Sequence, residues 1–266
     1  MTDAVKDLRR KDRLRRLIPT TLKNSLLKLL KSDIVGGAIR RLYGDQIPHR
    51  NGVRVLTRSP RIASWTVGAI YFDLYERSEI DQMITYCDFS LPVVELGASI
   101  GVGTLQILKK AQNQVVVVEA DPDLHGVLIE NIKYNKLDTM SLSVINAMVS
   151  YSGETEGNWE PGFNNLTGKK DGEHSSSIKV PCFTLSELLE DHQIGDYNLI
   201  VDIEGAEAEM FDLDEKGLAR CVRIVAEIDG GSSQEKYYSI SDLVEKLKNY
   251  GFTVVHEHGN RFTFSR

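Results

Sequence analysis

Several features of secreted and membrane-spanning proteins are scarce or absent in this sequence. Three cysteines, Cys87, Cys182 and Cys221, stand far apart among 266 residues and form no C-x-x-C pair. This spacing argues against a disulfide framework or a zinc knuckle. No apolar run approaches the roughly 20 residues that span a bilayer, and the basic N-terminus lacks the apolar core of a signal peptide. We therefore expect a protein of a reducing compartment, by default the cytoplasm.

Positive charge is concentrated at the start of the chain. Residues 1–50 carry 13 Lys and Arg against 5 Asp, a net charge of +8, whereas residues 51–266 carry −14. We interpret the first range as a basic amphipathic helical segment and the second as the main domain. The segment either packs on that domain or binds the anionic inner face of a membrane. Nucleic acid is the less favoured partner. The leucines that share one face of the predicted helix are Leu22, Leu26, Leu29 and Leu30.

From Val93 onward, apolar strands alternate with amphipathic helices. The alternation predicts an α/β fold with a doubly wound, mostly parallel, Rossmann-like sheet. The segments "FTVVHEH" and "RFTFS" flank a Gly-Asn turn and predict a terminal antiparallel hairpin. Residues 151–180 interrupt the alternation as a Gly-, Asn- and Ser-rich insertion loop. We expect this loop to be either a lid over the substrate or a plain surface insertion.

The stretch "VVELGASIGVGTL" joins the first strand to a helix through small residues, as nucleotide sites often do. The dinucleotide pattern G-x-G-x-x-G fails, because Ser99 and Val102 occupy its second and third glycine positions. The stretch instead resembles motif I of class I S-adenosylmethionine (SAM)-dependent methyltransferases, E/D-x-G-x-G-x-G. An acid near this turn favours the cationic amine and sulfonium of SAM. The predicted cofactor-binding residues are Glu95, Gly97, Ala98, Ser99 and Gly101.

The next two strands also end in polar residues. Glu119 ends the second strand, where a carboxylate can accept from both ribose hydroxyls, although NAD enzymes share this feature. Asn146 ends the third strand, where such enzymes usually contact the adenine. Each residue alone could be a helix cap, but their register on successive strands favours a cofactor site. This part of the predicted site comprises Glu119, Ala120, Asn146 and Ala147.

Motifs further along the chain resemble one family. The segment "YNLIVDIEGAEAEMF" is similar to the Asp-x-Glu-Gly-x-Glu segment of the FkbM methyltransferases, and "DLYERSEI" is similar to the family's Tyr-Glu segment. The resemblance covers about residues 71–230. It departs from the family pattern at Ile200, where a Lys is common, and at Asp229, where a His is usual. The matching residues are Tyr75, Glu76, Asp202, Glu204, Gly205 and Glu207.

The resemblance implies methyl transfer from SAM to oxygen, most often to a hydroxyl of a sugar or glycan-like acceptor. The basic N-terminal segment makes a lipid-linked glycan at a membrane one such acceptor. A hydroxyl acceptor must lose its proton, which calls for a general base. Asp202 is the first candidate and Glu204 the second, although either acid could only cap the following helix. The candidates on the substrate side are Tyr75, Glu227 and Asp229.

Three alternatives remain open at this point. The acceptor could be the carboxylate of a uronic acid, which needs no base. The protein could methylate nucleic acid through its basic segment, or it could be a SAM-binding module without activity. A divalent cation is conceivable but not expected, because solvated acids at a cleft rim are commoner than metal sites. Its ligands would be Asp202, Glu227 and Asp229.

Overall fold

The computed structural model describes residues 20–139, 141–162, 169–170 and 177–266. Residues 1–19, the most basic part of the N-terminal segment, lie outside this description. The described helices are α1 (Thr20–Leu30), α2 (Asp33–Tyr43), α3 (Ser64–Tyr71), α4 (Arg77–Tyr86), α5 (Val102–Leu108), α6 (Pro122–Tyr134), α7 (Leu185–Asp191), α8 (Glu207–Leu213), α9 (Glu215–Leu218) and α10 (Ile240–Asn249).

The strands form one large sheet and three small ones. Small sheets pair β1 (Gln46–Pro48) with β2 (Arg54–Leu56) and β12 (Gly231–Ser233) with β13 (Lys236–Tyr238), while β6 (Met148–Val149), β7 (Glu156–Glu160), β8 (Lys169–Lys170) and β9 (Ile178–Phe183) form a third. The large sheet contains β3 (Val93–Leu96), β4 (Val115–Glu119), β5 (Leu142–Asn146), β10 (Tyr197–Val201), β11 (Cys221–Glu227), β14 (Thr253–His258) and β15 (Arg261–Ser265).

The large sheet has the order β14-β15-β11-β10-β3-β4-β5. The five strands from β11 to β5 are parallel, and β15 adds antiparallel to β11 and pairs with β14 as a hairpin. The predicted α/β fold with a mostly parallel, Rossmann-like sheet and a terminal hairpin is therefore confirmed. The strand order reverses direction beside β3, which places a ligand crevice at the carboxyl ends of β3, β4 and β10.

Alternate residues of the central strands face two different cores. On β3, Val94 and Leu96 pack in one apolar cluster, while Val93 packs in the other. The first cluster is completed by α7, α8 and α10, and the second by α2 to α6 and the β1–β2 hairpin. Both faces are therefore covered by helices, as expected for strands that are apolar on both sides.

The helix caps follow the sequence. Asp121 accepts from the backbone amides of Asp123 and Leu124 at the start of α6, with Pro122 at its first position. Thr184 and Glu187 form a capping box at the start of α7. These caps fix where the helices begin, directly beyond the carboxyl ends of their preceding strands.

The N-terminal helices are joined to the domain. The β1–β2 hairpin spans the boundary that we predicted at residue 50, with Pro48 paired to Arg54, and α2 packs against α3. Among the described residues, no helix is long and apolar enough to cross a membrane.

The insertion at residues 151–180 contains regular structure in its described parts. β7 pairs antiparallel with both β8 and β9, and β9 runs parallel to β6. This differs from the unbroken loop expected from the composition, because ladder hydrogen bonds organise a Gly-rich strand whose local sequence shows little strand preference. The insertion thereby forms a small sheet beside the end of β5.

Candidate active site

The turn after β3 adopts a backbone that explains its small residues. Gly97, Ser99 and Gly101 have φ values of 85°, 50° and 83°, all in the left-handed region. A Cβ on Gly97 would lie 1.7 Å from the carbonyl oxygen of Asp202, so only glycine fits there. Ser99 tolerates the left-handed region less well than glycine would. The alternate small residues of the motif therefore build a tight turn on which a ligand can lie against backbone.

This turn forms one wall of a cleft at the carboxyl edge of the sheet. The cleft contains about 800 Å³ of empty space, including space open to solvent. Its walls come from the ends of β3, β4, β5 and β10 and from the insertion, and the lining residues used below are Arg61, Glu76, Gly97, Ser99, Glu119, Ala120, Asp121, Ala147, Trp159, Asp202 and Glu204.

Glu119 is held by backbone amides at one end of the cleft. Its Oε2 accepts from the amide of Ser99 at 2.6 Å, and its Oε1 accepts from the amide of Asp121 at 2.8 Å. Burial raises the pKa of Glu119 to about 7 despite these bonds. The carboxylate keeps lone pairs for further donors, such as ribose hydroxyls. We call Gly97, Ser99, Glu119, Asp121 and Ala147 the cofactor end of the cleft.

Glu95 lies beneath the turn, away from the residues that line the cleft. It is buried, and its Oε2 accepts from the hydroxyl of Thr104 at 2.7 Å. Burial raises the pKa of Glu95 to about 8. Ala98 is also buried, and a Cβ on Gly101 would lie 2.4 Å from Leu128 Cδ1. These three predicted residues shape the turn from behind, whereas Gly97 and Ser99 face the cleft.

The residues predicted at the ends of β4 and β5 also divide into some that line the cleft and one that supports it from behind. Ala120 and Ala147 line the cleft. The side-chain amide of Asn146 instead donates to the carbonyls of Glu119 and Ala120 at 2.8 and 2.9 Å. Asn146 therefore ties the end of β5 to the end of β4 and holds Glu119 in place.

The Asp-x-Glu-Gly-x-Glu segment forms the loop between β10 and α8. Glu204 and Gly205 have φ values of 54° and 97°. The carboxylate of Glu207 accepts from the amides of Ile203 and Gly205 at 2.7 and 2.8 Å, which closes this loop. Asp202 and Glu204 project into the cleft, while Glu207 is buried beneath them. The last acid of the motif therefore supports the loop that carries the first two.

Three carboxylates gather around Asp202, and we call Glu76, Glu79, Asp202 and Glu227 the acid cluster. Single oxygens of Glu79, Asp202 and Glu227 lie within 4.8 Å of one another. Burial, together with Glu227 and Glu204, raises the pKa of Asp202 to about 8. Burial and the nearby Glu79 raise the pKa of Glu76 well above its usual range. Like charges at this spacing keep part of the cluster protonated at neutral pH.

A guanidinium partly neutralises the cluster. Arg261 pairs with Glu79 and, at 2.6 Å, with Glu227. Asp229 lies alongside, where Asn260 donates to Glu227 at 2.9 Å and to Asp229 at 3.0 Å. Of the metal ligands considered from the sequence, Asp202 and Glu227 are thus brought together with Glu79, and Asp229 stands beside them. Arg261 already forms ion pairs with two of the three acids that lie close enough to share an ion, Glu79 and Glu227.

Tyr75, the third substrate-side candidate, is buried next to the glycine turn. Its hydroxyl lies 3.5 Å from Ser99 Oγ. Glu76, its neighbour, lines the cleft from the start of α4 and has a left-handed φ of 46°. The Tyr-Glu pair therefore places the tyrosine behind the turn and the glutamate in the cleft.

Sequence reasoning did not select four residues that line the cleft. Asp121, which caps α6, also pairs with Arg61 and accepts from the indole of Trp159 at 3.4 Å. Glu76 was visible within the Tyr-Glu motif. Arg61 and Trp159 carry no sequence signal, because they reach the cleft from the N-terminal region and from the insertion.

Comparison with known families identifies the chain. The model of the FkbM methyltransferase domain matches residues 95–254, more than half of the sequence. The chain belongs to the FkbM methyltransferase family. The match begins at Glu95 and includes the glycine turn, Glu119, Asp202 and Glu227. SAM is the cofactor that membership of this methyltransferase family supports. Among curated proteins, none matches this chain.

Solved structures with a similar fold share little sequence with this FkbM-family chain. A protein of the NADB-Rossmann superfamily from Streptococcus agalactiae is 12% identical, with a TM-score of 0.41, over 70% of this chain and 65% of that one. Trm5b from Pyrococcus abyssi is 14% identical, with a TM-score of 0.41, over 83% and 54%. Precorrin-6y C5,15-methyltransferase from Geobacter metallireducens GS-15 is 12% identical, with a TM-score of 0.41, over 80% and 95%. The chain thus spans less than two thirds of the first two proteins.

Proposed function

We propose that this protein transfers a methyl group from SAM to a hydroxyl of a saccharide or glycan-like acceptor. The observation that carries the proposal is that the left-handed glycine turn, Glu119 and Asp202 open onto one cleft. When bound, SAM supplies a methyl group already activated by its sulfonium. The protein's own residues must then hold the acceptor in line and take its proton.

The cofactor end has the donor and acceptor groups that SAM requires. Gly97 and Ser99 present backbone without bulky side chains, and Glu119 is oriented by two amides with capacity left for ribose hydroxyls. Ala147 leaves an apolar surface at the end of β5. The nearby acids favour the positive charges of the cofactor.

Asp202 is the residue to which we assign the general base. It lies at the carboxyl end of β10, and a raised pKa of about 8 makes its carboxylate a stronger base than an exposed aspartate. Glu204, two residues later, is the second candidate. A cationic cofactor beside this cluster would favour the charged, base-competent form of Asp202.

The acid cluster also separates the possible acceptors. A uronic-acid carboxylate or a nucleic-acid phosphate would bring a further negative charge to Asp202 and Glu204, in a cluster that already retains protons to limit its own charge. A neutral hydroxyl carries no such penalty. This favours the hydroxyl over the carboxylate and over nucleic acid, whose remaining support is the basic segment of residues 1–50. A lipid-linked glycan would require that the protein also contact a membrane.

The test combines cofactor binding with turnover. We expect calorimetry to detect SAM binding, and mass spectrometry to detect saccharide acceptors heavier by one CH₂ after incubation with SAM. Asp202→Asn should keep the first signal and lose most of the second. Asp196→Asn, at an exposed surface ion pair with Arg220, is the matched control and should keep both.

Each negative result would point to a different alternative. Failure to bind SAM would overturn the proposal. Binding without turnover on any acceptor would favour a module that only binds the cofactor. Methylation of RNA with steep salt dependence would favour the nucleic-acid alternative.

A further inference from the structure

The helices α1 and α2 expose large apolar side chains. Leu26 and Leu29 of α1 are 53% and 58% exposed, and Ile34 and Leu42 of α2 are 85% and 73% exposed. Ile34, Ala38 and Leu42 follow one another at intervals of four residues, so they lie on the same face of α2. We call these five residues the outer apolar face. Exposed apolar groups of this size on adjacent elements mark interaction sites.

The opposite side of these helices is tightly packed on the domain. A Cβ on Gly36 would lie 1.7 Å from the carbonyl oxygen of Ser64, and a Cβ on Gly68 would lie 2.3 Å from that of Leu30. Backbone therefore meets backbone where the helices join α3. Because these glycines fix how the helices lie, the outer apolar face cannot turn inward without breaking the contacts.

Positive charge is exposed on the same part of the chain. Lys28 of α1, Lys31 between the helices and Arg41 of α2 are all exposed. Arg40 is engaged elsewhere, since it donates to the carbonyls of Thr57 and Ile62. The exposed acid of the two helices, Asp33, accepts from the backbone amide of Trp65 at 3.1 Å. The face therefore presents apolar side chains beside net positive charge.

The rest of the molecule has the opposite charge. Residues 51–266 carry −14, against +8 for residues 1–50. A negatively charged surface would attract the N-terminal helices and repel the main domain, which fixes one orientation of approach. Apolar side chains with flanking Lys and Arg are what an anionic lipid surface binds.

We propose that the outer apolar face docks onto an anionic membrane surface, with Leu26, Leu29, Ile34 and Leu42 in contact with the acyl boundary. Lys28, Lys31 and Arg41 then lie at the level of the phosphates. The contact is peripheral and reversible. It is independent of the methyl-transfer proposal, and it would bring the protein to acceptors that carry a lipid.

Co-sedimentation of the full chain with vesicles tests this contact. We expect binding to vesicles of phosphatidylcholine mixed with phosphatidylserine and little binding to phosphatidylcholine alone. The double variant Ile34→Ser/Leu42→Ser should weaken the partition coefficient by about tenfold or more, since two large side chains leave the acyl boundary. Its far-UV spectrum and its SAM affinity should match those of the parent.

Two further variants test whether vesicle binding depends on the outer apolar face itself and on the charges near it. Leu213→Ser/Val255→Ser removes two exposed apolar side chains elsewhere and should leave the partition unchanged. Lys28→Gln/Lys31→Gln/Arg41→Gln should weaken binding to anionic vesicles and flatten its salt dependence.

Three outcomes would overturn the proposal. The first is vesicle binding unaffected by Ile34→Ser/Leu42→Ser, which would assign it to residues 1–19. The second is a dimer in sedimentation velocity that this variant dissociates, without vesicle binding, because the face would then contact a second copy. The third is RNA binding abolished by the charge variant while anionic vesicles do not bind.

Discussion

At the cofactor end of the cleft, Glu119 accepts from two backbone amides, whereas in the acid cluster Asp202 lies among other carboxylates. Glu119 is buried and Asp202 is partly buried, and both have raised pKa values, about 7 and about 8. The amides orient Glu119 and offset part of the free-energy cost of burying its charge. The carboxylates beside Asp202 instead add to the cost of ionising it. The cofactor end therefore holds its carboxylate in a fixed orientation. The acid cluster holds a carboxyl whose pKa lies near neutral pH, as the proposed general base requires.

The largest effect should come from filling the turn at the cofactor end. Gly97→Ala places a Cβ on the carbonyl of Asp202 and forces a residue with a side chain into a φ of 85°. We expect SAM binding to fall by about 100-fold or more, with loss of several kcal/mol of stability. Calorimetry and thermal unfolding measure the two effects.

Gly126→Ala is the matched control for this change. Gly126 lies inside α6, where an added Cβ meets no atom within 4 Å. This variant should bind SAM normally and gain about 0.5–1 kcal/mol in the free energy of unfolding. Normal SAM binding by Gly97→Ala would refute the role given to the turn.

Changing the acid cluster should affect the rate and leave cofactor binding intact. Asp202→Asn removes the base, so kcat should fall by about 10²–10⁴ while the SAM dissociation constant stays within about threefold. In the parent protein, Asp202 loses its proton as the pH rises, so kcat/KM, which reports the unliganded enzyme, should increase up to about pH 8 and then level off. The rise in kcat should come at lower pH, because the bound cationic cofactor favours the charged form of Asp202. Stopped assays across pH measure both. A rate that barely changes in the variant would favour carboxylate methylation.

The sheet and the cofactor end were largely predictable, because both depend on local patterns. Apolar strands, the Asp121 cap and the spacing of Glu95, Gly97 and Ser99 are visible within short windows of sequence. The resemblance to the FkbM family made Asp202 and Glu204 predictable as well.

The remainder of the site depends on contacts between distant segments. Trp159 reaches Asp121 from the insertion, and Arg61 reaches it from the region before α3. Neither residue lies in a recognisable motif, and the gathering of Glu79 with Glu227 requires α4 to pack beside β11. Side-chain direction was also inaccessible: Glu95 and Asn146 have the expected types, but they support the site from behind.

A smaller effect is expected where the insertion meets the cofactor end. Trp159→Phe keeps an aromatic wall but loses the indole donor to Asp121, worth about 1 kcal/mol. SAM affinity should weaken by about fivefold, with kcat unchanged at saturation. Trp65→Phe is the control, since the sequence has two tryptophans and Trp65 does not line the cleft. If affinity is unaffected, the insertion is only a surface feature.

The smallest effect on activity is expected at Glu95, where a substitution should change mainly the stability of the protein. It tests whether burial raises the pKa of a carboxyl in this region. Its pKa is about 8 in the folded protein against an ordinary value of 4.5. Between these values the unfolded chain releases the proton and the folded protein retains it, so the free energy of unfolding falls as the pH rises. Glu95→Gln removes this loss and can still accept from Thr104. Compared with the parent, it should gain about 3 kcal/mol at pH 8 relative to pH 5. Urea unfolding at both pH values measures the difference, and exposed Glu156→Gln should show none. An equal change at both pH values would show that the carboxyl is ionised in the fold and that its hydrogen bonding outweighs its burial, unlike at Glu119.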